Sequence, residues 1–278
     1  MRPTAKRVLL ELLSAASPHE APAAVLVEAA ALLGVGESNV RVTLARLVAA
    51  GTLEVTGRGQ YRLGRAAQAI TRQVTSWRDL EKQVLRWDGG WACAHLGDGT
   101  GRDRGDARRS ARALGLLGFR ALARGLDVRP DNLDGGVALL RERLVALGAP
   151  EAAIVFRATD LDAGAEARAR GLWSADKLSA SYRHTRERIE RWLVAAADLD
   201  PRVAAREAFF FGGDVLRTIL FDPRLPEPLV DVAERRAMVA AARRLDLFGR
   251  RIWARLFGVP HGLVIAVEGE HDHVHHVS

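Results

Sequence analysis

Apolar residues recur at helical spacing three times in the first fifty positions, and then the period changes. Val8, Leu9, Leu12 and Leu13 mark a first helix, and Val25, Leu26, Ala29, Leu32 and Leu33 mark a second, with Pro18 and Pro22 bracketing the break before it. The tight turn Gly34-Val35-Gly36 leads to a third helix, for which Ser38 is the expected N-cap. Val40, Leu44, Leu47 and Val48 share its inner face, and Gly51 ends it. Two short strands follow, Thr52 to Thr56 and Gln60 to Leu63, joined by Gly57-Arg58-Gly59, which is hairpin chemistry.

Beyond a polar helical stretch from Ala66 to Leu85, strands and helices alternate. Trp91 to Leu96 reads as strand, Asp106 to Gly118 as helix, Arg120 to Val128 as strand, Leu133 to Leu147 as helix and Ala152 to Ala158 as strand. From Trp173 to Gly258 the pattern is helical: Leu178, Tyr182, Thr185, Ile189, Trp192 and Leu193 form one stripe, and Pro201 opens a second helix through Leu220. Pro223, Pro226 and Pro228 stiffen the turn before a third. The chain therefore reads as α+β and multidomain. The expected parts are a winged helix-turn-helix over 1–66, a helical linker over 67–86, a ferredoxin-like α/β sandwich over 87–172, a helical C-terminal domain over 173–262 and a tail over 263–278.

Composition narrows the function classes. Of 278 residues 48% are hydrophobic and 27% charged, so a sizeable core can form, and the formal charge of +7 favours an acidic partner. A GC-rich genome would give the same arginine-rich, lysine-poor skew, so the position of the arginines has to decide. Cys93 is the sole cysteine, which excludes an internal disulfide and a cysteine-rich zinc site and fits a reducing cytoplasm. Glu11 interrupts the one segment that imitates a signal peptide, and no apolar run is long enough to span a membrane.

The arginines do cluster. With Val40, Leu44, Leu47 and Val48 turned inward, Ser38, Asn39, Val42 and Arg46 point outward on the third helix and Arg41 and Thr43 lie on its flanks. No acid occurs between Ser38 and Leu53, as a surface facing phosphates requires. Arginine reads guanine bidentately, and Asn39 has the donor and acceptor that adenine needs. The hairpin adds Arg58, Gln60 and Arg62 as a basic wing for the DNA backbone or minor groove. The expected partner is a double-stranded DNA operator.

Several motifs in fixed order resemble the PaaX-type repressors of phenylacetate degradation. They are Gly34 through Val48 with Tyr61-Arg62-Leu63, then Trp87-Asp88-Gly89-Gly90-Trp91, then Leu117-Gly118-Phe119-Arg120 leading to Val128-Arg129-Pro130. Leu172-Trp173 with Leu178 and Tyr182, and Phe221-Asp222-Pro223-Arg224-Leu225-Pro226, complete the set. The resemblance implies a homodimeric repressor, not an enzyme, whose central domain resembles a small CRISPR-associated nuclease subunit. It also implies an acyl- or aryl-CoA effector such as phenylacetyl-CoA that releases the operator. Arg41 and Arg46 match positions where the family's recognition helix carries arginine. The loop from Gly97 to Asp106 and the histidine-rich tail depart from the family pattern.

Weaker signals remain. Tyr182, Arg183 and His184 offer an aromatic wall and cations for an acyl-CoA effector. Asp98, Asp103 and Asp106 are the acids that a metal-dependent nuclease in the central domain would use. His271, His273, His275 and His276 would serve a metal-sensing tail, although a frayed terminus is the simpler reading. No Walker, dinucleotide or HExxH pattern occurs, so no cofactor is expected.

Overall fold

The computed structural model describes residues 3–16, 19–65, 67–68, 71, 76–97 and 104–264. The chain is mixed α and β, with two small antiparallel sheets and a helical C-terminal region. It divides into two compact units. The first comprises 1–77, 189–217 and 241–278, and the second 78–188 and 218–240.

The first unit begins with α1 (Ala5–Ala15), whose N-terminus is capped by Thr4 accepting the Arg7 amide at 3.2 Å. Then come β1 (Glu20–Pro22), α2 (Ala23–Leu32), α3 (Glu37–Ala49), β2 (Leu53–Gly57) and β3 (Gln60–Leu63). β3 lies between β1 and β2, pairing Arg62 with Glu20 on one side and with Glu54 on the other. At three residues β1 is too short to leave a period in the sequence, whereas both hairpin strands fall within a residue of their expected places.

The second unit carries β4 (Trp91–His95), α4 (Arg104–Leu116), β5 (Arg120–Ala123), β6 (Leu126–Pro130), α5 (Gly136–Ala146) and β7 (Ile154–Ala158), followed by α6 (Ala163–Arg170). The sheet order is β5-β6-β4-β7, antiparallel throughout. Ala92, Ala94 and Val155 of the sheet pack with Ala113, Leu114, Leu140 and Leu144 of α4 and α5. The expected single strand from Arg120 to Val128 is in fact the hairpin β5–β6. Gly125 turns it at φ 76°, and its carbonyl meets His95 Nδ1 at 2.7 Å. Of the expected helix over Ala66 to Leu85, the described residues 67, 68 and 71 are helical and Ser76–Gln83 is a 3₁₀ segment, while residues 66, 69, 70 and 72–75 lie outside those described.

Helices α7 (Ala175–Ala196), α8 (Pro201–Leu220) and α9 (Val232–Phe257) follow, and residues 173–262, expected as one helical domain, are shared between the two units. Ala205 and Phe209 of α8 and Trp253 and Phe257 of α9 join the apolar core formed by α1, α2 and α3. Each large side chain buried there contributes about 1.5–3 kcal/mol. Leu263 and Val264, expected in the tail, are buried instead, because the Leu263 amide donates to Asp246 at 2.7 Å and its carbonyl accepts from Trp77 Nε1 at 3.3 Å.

Two buried arginines explain motifs that the sequence only displays. Arg129 is 1% exposed and donates to the carbonyls of Leu117, Pro130 and Pro223 and to Asn132 Oδ1. Burial lowers its pKa to about 9, so it remains charged at neutral pH. Asn132 in turn donates to the Arg224 carbonyl at 2.8 Å, and buried Arg235 donates to the Leu225 carbonyl at 2.6 Å and to Glu81 at 3.0 Å. The segment Asp222-Pro223-Arg224-Leu225 is thus held through its backbone. Pro223 sits so close to Gly118 that no Cβ fits at that glycine.

Arg129→Ala would leave these carbonyls buried and unpaired, and a loss of about 3–5 kcal/mol is expected in urea unfolding. A second expectation concerns His261, 3% exposed between the rings of Phe209 and Trp253 at 4.9 and 5.0 Å, with Asp246 as the neighbouring charge. Burial lowers its pKa to about 4, so the folded state favours neutral imidazole while the unfolded chain titrates near the ordinary value. The stability this gives is complete above about pH 6.5 and is lost as pH falls toward 4, on the order of 3 kcal/mol. Melting temperatures of the wild type and His261→Phe between pH 7 and 5 check this, the variant losing the pH dependence.

Candidate nucleic-acid interface

The outer face of α3 is fixed by its inner face. Val40, Leu44 and Leu47 are buried against α1 and α2, and one rotation of the helix satisfies all three. Entry to α3 is equally constrained: Gly34 takes φ 83°, and the Val35 amide bonds back to the Ala30 carbonyl at 3.0 Å, burying the Val35 side chain. Helix α3 starts at Glu37, with Gly36 as its cap and no side-chain capping bond. Ser38, expected as the N-cap, is instead an exposed residue of the first turn. A cap of Gly36 is tolerated because glycine at this position costs only a few tenths of a kcal/mol relative to serine.

Ser38, Asn39, Arg41, Val42 and Arg46 are exposed, and Thr43 is half-buried with its hydroxyl 3.3 Å from Asn39 Oδ1. Val42 is 47% exposed, a large apolar side chain presented to solvent in the middle of this face. Ala45 and Ala49 are exposed beside it. These two alanines were not singled out in the sequence, although their spacing from Ser38 and Val42 places them on the same stripe. Small side chains there let the helix axis approach a partner closely. Arg46 makes no ion pair among the described residues, whereas Arg41 lies 2.7 Å from Glu37, both well exposed. Such a surface pair contributes little and is readily exchanged for a phosphate contact.

The hairpin beside α3 is held by the Thr52 amide on the Leu47 carbonyl at 2.9 Å and by the Ala23 amide on the Gly59 carbonyl at 2.8 Å. Arg58, at the β2–β3 turn, is exposed. Gln60 and Arg62 are half-buried, and Arg62 is committed to Glu54 at 2.6 Å across the ladder. Glu20 accepts from Thr56 at 2.7 Å on the same sheet. Arg58 is therefore the cation of the expected wing that makes no ion pair among the described residues, while Arg62 braces the sheet.

The other sequence-derived sites fare differently. Tyr182 is 1% exposed, and burial together with the nearby Asp222 carboxylate pushes its phenol well above the ordinary range. Arg183 faces outward to Glu234 at 3.4 Å, and His184 is exposed, so the three form no common surface. A helical period of 3.6 necessarily parts three consecutive residues in this way. Asp106 pairs with Arg109, and Asp98 and Asp103 lie outside the described residues, as do His271, His273, His275 and His276. Among the described residues no group of His, Cys, Asp and Glu is arranged to hold a metal, and no helix is long and apolar enough to cross a membrane. Cys93 is buried, which raises its thiol pKa.

Comparison with known proteins adds a family. Residues 173–255 match the PaaX-like protein C-terminal domain, which supports the family resemblance drawn from the sequence motifs. Among solved structures the chain is similar to an uncharacterized protein of Mycobacterium tuberculosis, Rv0674, with 26% identity and a TM-score of 0.55 over 86% of this chain and 96% of that one. No curated protein matches the sequence significantly.

Proposed function

From a chain that carries a PaaX-like C-terminal domain, we propose a sequence-specific DNA-binding transcriptional regulator, a repressor of a catabolic operon. Helix α3 enters the major groove and the β2–β3 hairpin acts as its wing. The observation that carries this reading is the exposed face of α3, which is free of acids from Ser38 onward, centred on Val42 and Arg46 and backed by a buried apolar stripe. The order helix, strand, helix, helix, strand, strand with β3 in the middle of its sheet is that of a winged helix-turn-helix, and it supports the assignment. The β-α-β-β-α-β order of the second unit, with strand order β5-β6-β4-β7, likewise supports a ferredoxin-like domain.

In this reading Arg46 and Asn39 read base edges, Val42 meets a thymine methyl, and Ser38, Thr43 and Arg41 contact the backbone at the helix flanks. Arg58 reaches a neighbouring phosphate or the minor groove. Two copies bind half-sites about 34 Å apart as a cytoplasmic homodimer. An acyl- or aryl-CoA-type effector, phenylacetyl-CoA-like by the family resemblance, releases the operator by binding the DNA-free state more tightly.

Fluorescence anisotropy on the chain's own promoter region against random DNA tests the proposal, and equal affinity for the two at low salt would defeat it. Arg46→Ala is expected to cost about 1–3 kcal/mol on the specific site and to relax sequence preference. Arg58→Ala should weaken all sequences alike and reduce the slope of log K against log salt by about one per protomer. Glu37→Gln removes an acid that competes for Arg41, so it should tighten binding by about two- to fivefold at low salt.

A further inference from the structure

In the second unit a cleft of about 250 Å³ opens between the segment entering β4 and the turn that leads into α9. Its apolar lining comes from Val84, Leu85 and Trp87 of the first segment and Pro226 and Val232 of the second. Leu85 is 49% exposed, an aliphatic side chain presented to solvent. Two guanidinium groups, Arg86 and Arg236, and one carboxylate, Glu227, complete the lining.

Both walls are pinned. The Leu85 amide donates to the Asn132 carbonyl at 2.8 Å, and the Leu229 amide donates to the Pro226 carbonyl at 2.8 Å. Buried Arg235 holds the Leu225 carbonyl one residue before Pro226. The cleft is therefore formed before any ligand arrives, which lowers the ordering cost of binding. The N-terminus of α9 is already satisfied by Asp231, which accepts from the amides of Ala233 and Glu234 at 2.8 and 3.3 Å. An anion in this cleft has to be held by the arginines.

Arg86 is exposed and makes no ion pair among the described residues. Arg236 is 69% exposed and meets Glu81 at a long 3.6 Å through Nε, while that carboxylate is held more closely by Arg235 at 3.0 Å. With Glu227 counted, the lining carries a net charge of one positive unit, which matches a monoanion. A CoA moiety, with its several phosphate charges, exceeds both the volume and the charge available.

We propose that this cleft binds a small apolar monocarboxylate, an arylalkanoate or short-chain fatty acid, with Arg86 and Arg236 on the carboxylate and Leu85, Trp87, Pro226 and Val232 around the hydrocarbon. The cleft is a site apart from that of the CoA-type effector in the regulator reading, and as a binding site it stands without that reading. Glu227 disfavours polyanions, so the free acid binds in preference to its CoA thioester.

Isothermal titration of the full chain with phenylacetate, hexanoate and their CoA thioesters tests the assignment. The free acids are expected to bind the wild type, and Arg86→Gln or Arg236→Gln to weaken them about 10- to 100-fold, the loss of a charge-assisted hydrogen bond. Leu85→Trp, at an exposed position, fills the cleft and should abolish binding with the melting temperature retained. Absence of binding by both acids, unchanged affinity in all three variants, or tighter binding of the thioesters would overturn the proposal. A parallel promoter-binding assay separates the two readings: an acid that binds a protein without operator affinity sinks the regulator and leaves the cleft.

Discussion

Burial of Val40, Leu44 and Leu47 sets the rotation of α3, and with it which side chains that helix presents to solvent. Turn the helix by a third and Arg46 meets the core while leucines meet water. The cost would be several kcal/mol from the leucines alone. The stripe has support from far along the chain, since Phe209, Trp253 and Phe257 pack in the same core. The exposed face that carries Arg41, Val42 and Arg46 is thus the by-product of an apolar constraint on its opposite side.

The second unit relies on a different device. Arg129 and Arg235 bridge segments 94 and 154 residues apart in sequence, and Arg129 does so by donating to backbone carbonyls and Asn132, with no hydrogen-bonded carboxylate among the described residues. A planar guanidinium with several donors can satisfy carbonyls that no regular structure reaches, which lysine cannot do. Arg224 illustrates the backbone that results: a non-glycine residue at φ 53°, its amide held by Asp222 at 2.6 Å and its carbonyl by Asn132. The same clamped turn supplies Pro226 and Glu227 to the cleft. Its rigidity and the cleft's shape have one cause.

Much of this was legible in the sequence because long periodic segments announce themselves. The helix from Pro201 to Leu220 is found at the residues expected, and the inward set on α3 is buried as the spacing requires. What escaped was short or set by distant partners. β1 exists because β3 offers it an edge, and the break at Gly125 rests on a positive φ that a lone glycine within a strand-like segment does not settle. Arg62 looked like Arg58 in the sequence, yet the ladder sets Glu54 opposite Arg62 and leaves Arg58 at the turn. The motifs around Gly118, Arg129 and Pro223 were visible as motifs, but only the three-dimensional clamp says why those residue types occur there. The cleft arginines gave no local signal, since Arg86 and Arg236 lie 150 positions apart.

The interleaving of the two units along the chain bears on how the protein is made. Residues 1–77 leave the ribosome well before Phe209, Trp253 and Phe257, so the apolar side of α1 waits uncovered while some 130 further residues are synthesised. The first unit cannot finish its core until the last helices emerge, and a shortened product would leave it sticky and half-built. Completion of the polypeptide therefore acts as a checkpoint on the first unit, because a nascent or prematurely terminated chain lacks the side chains that close its core.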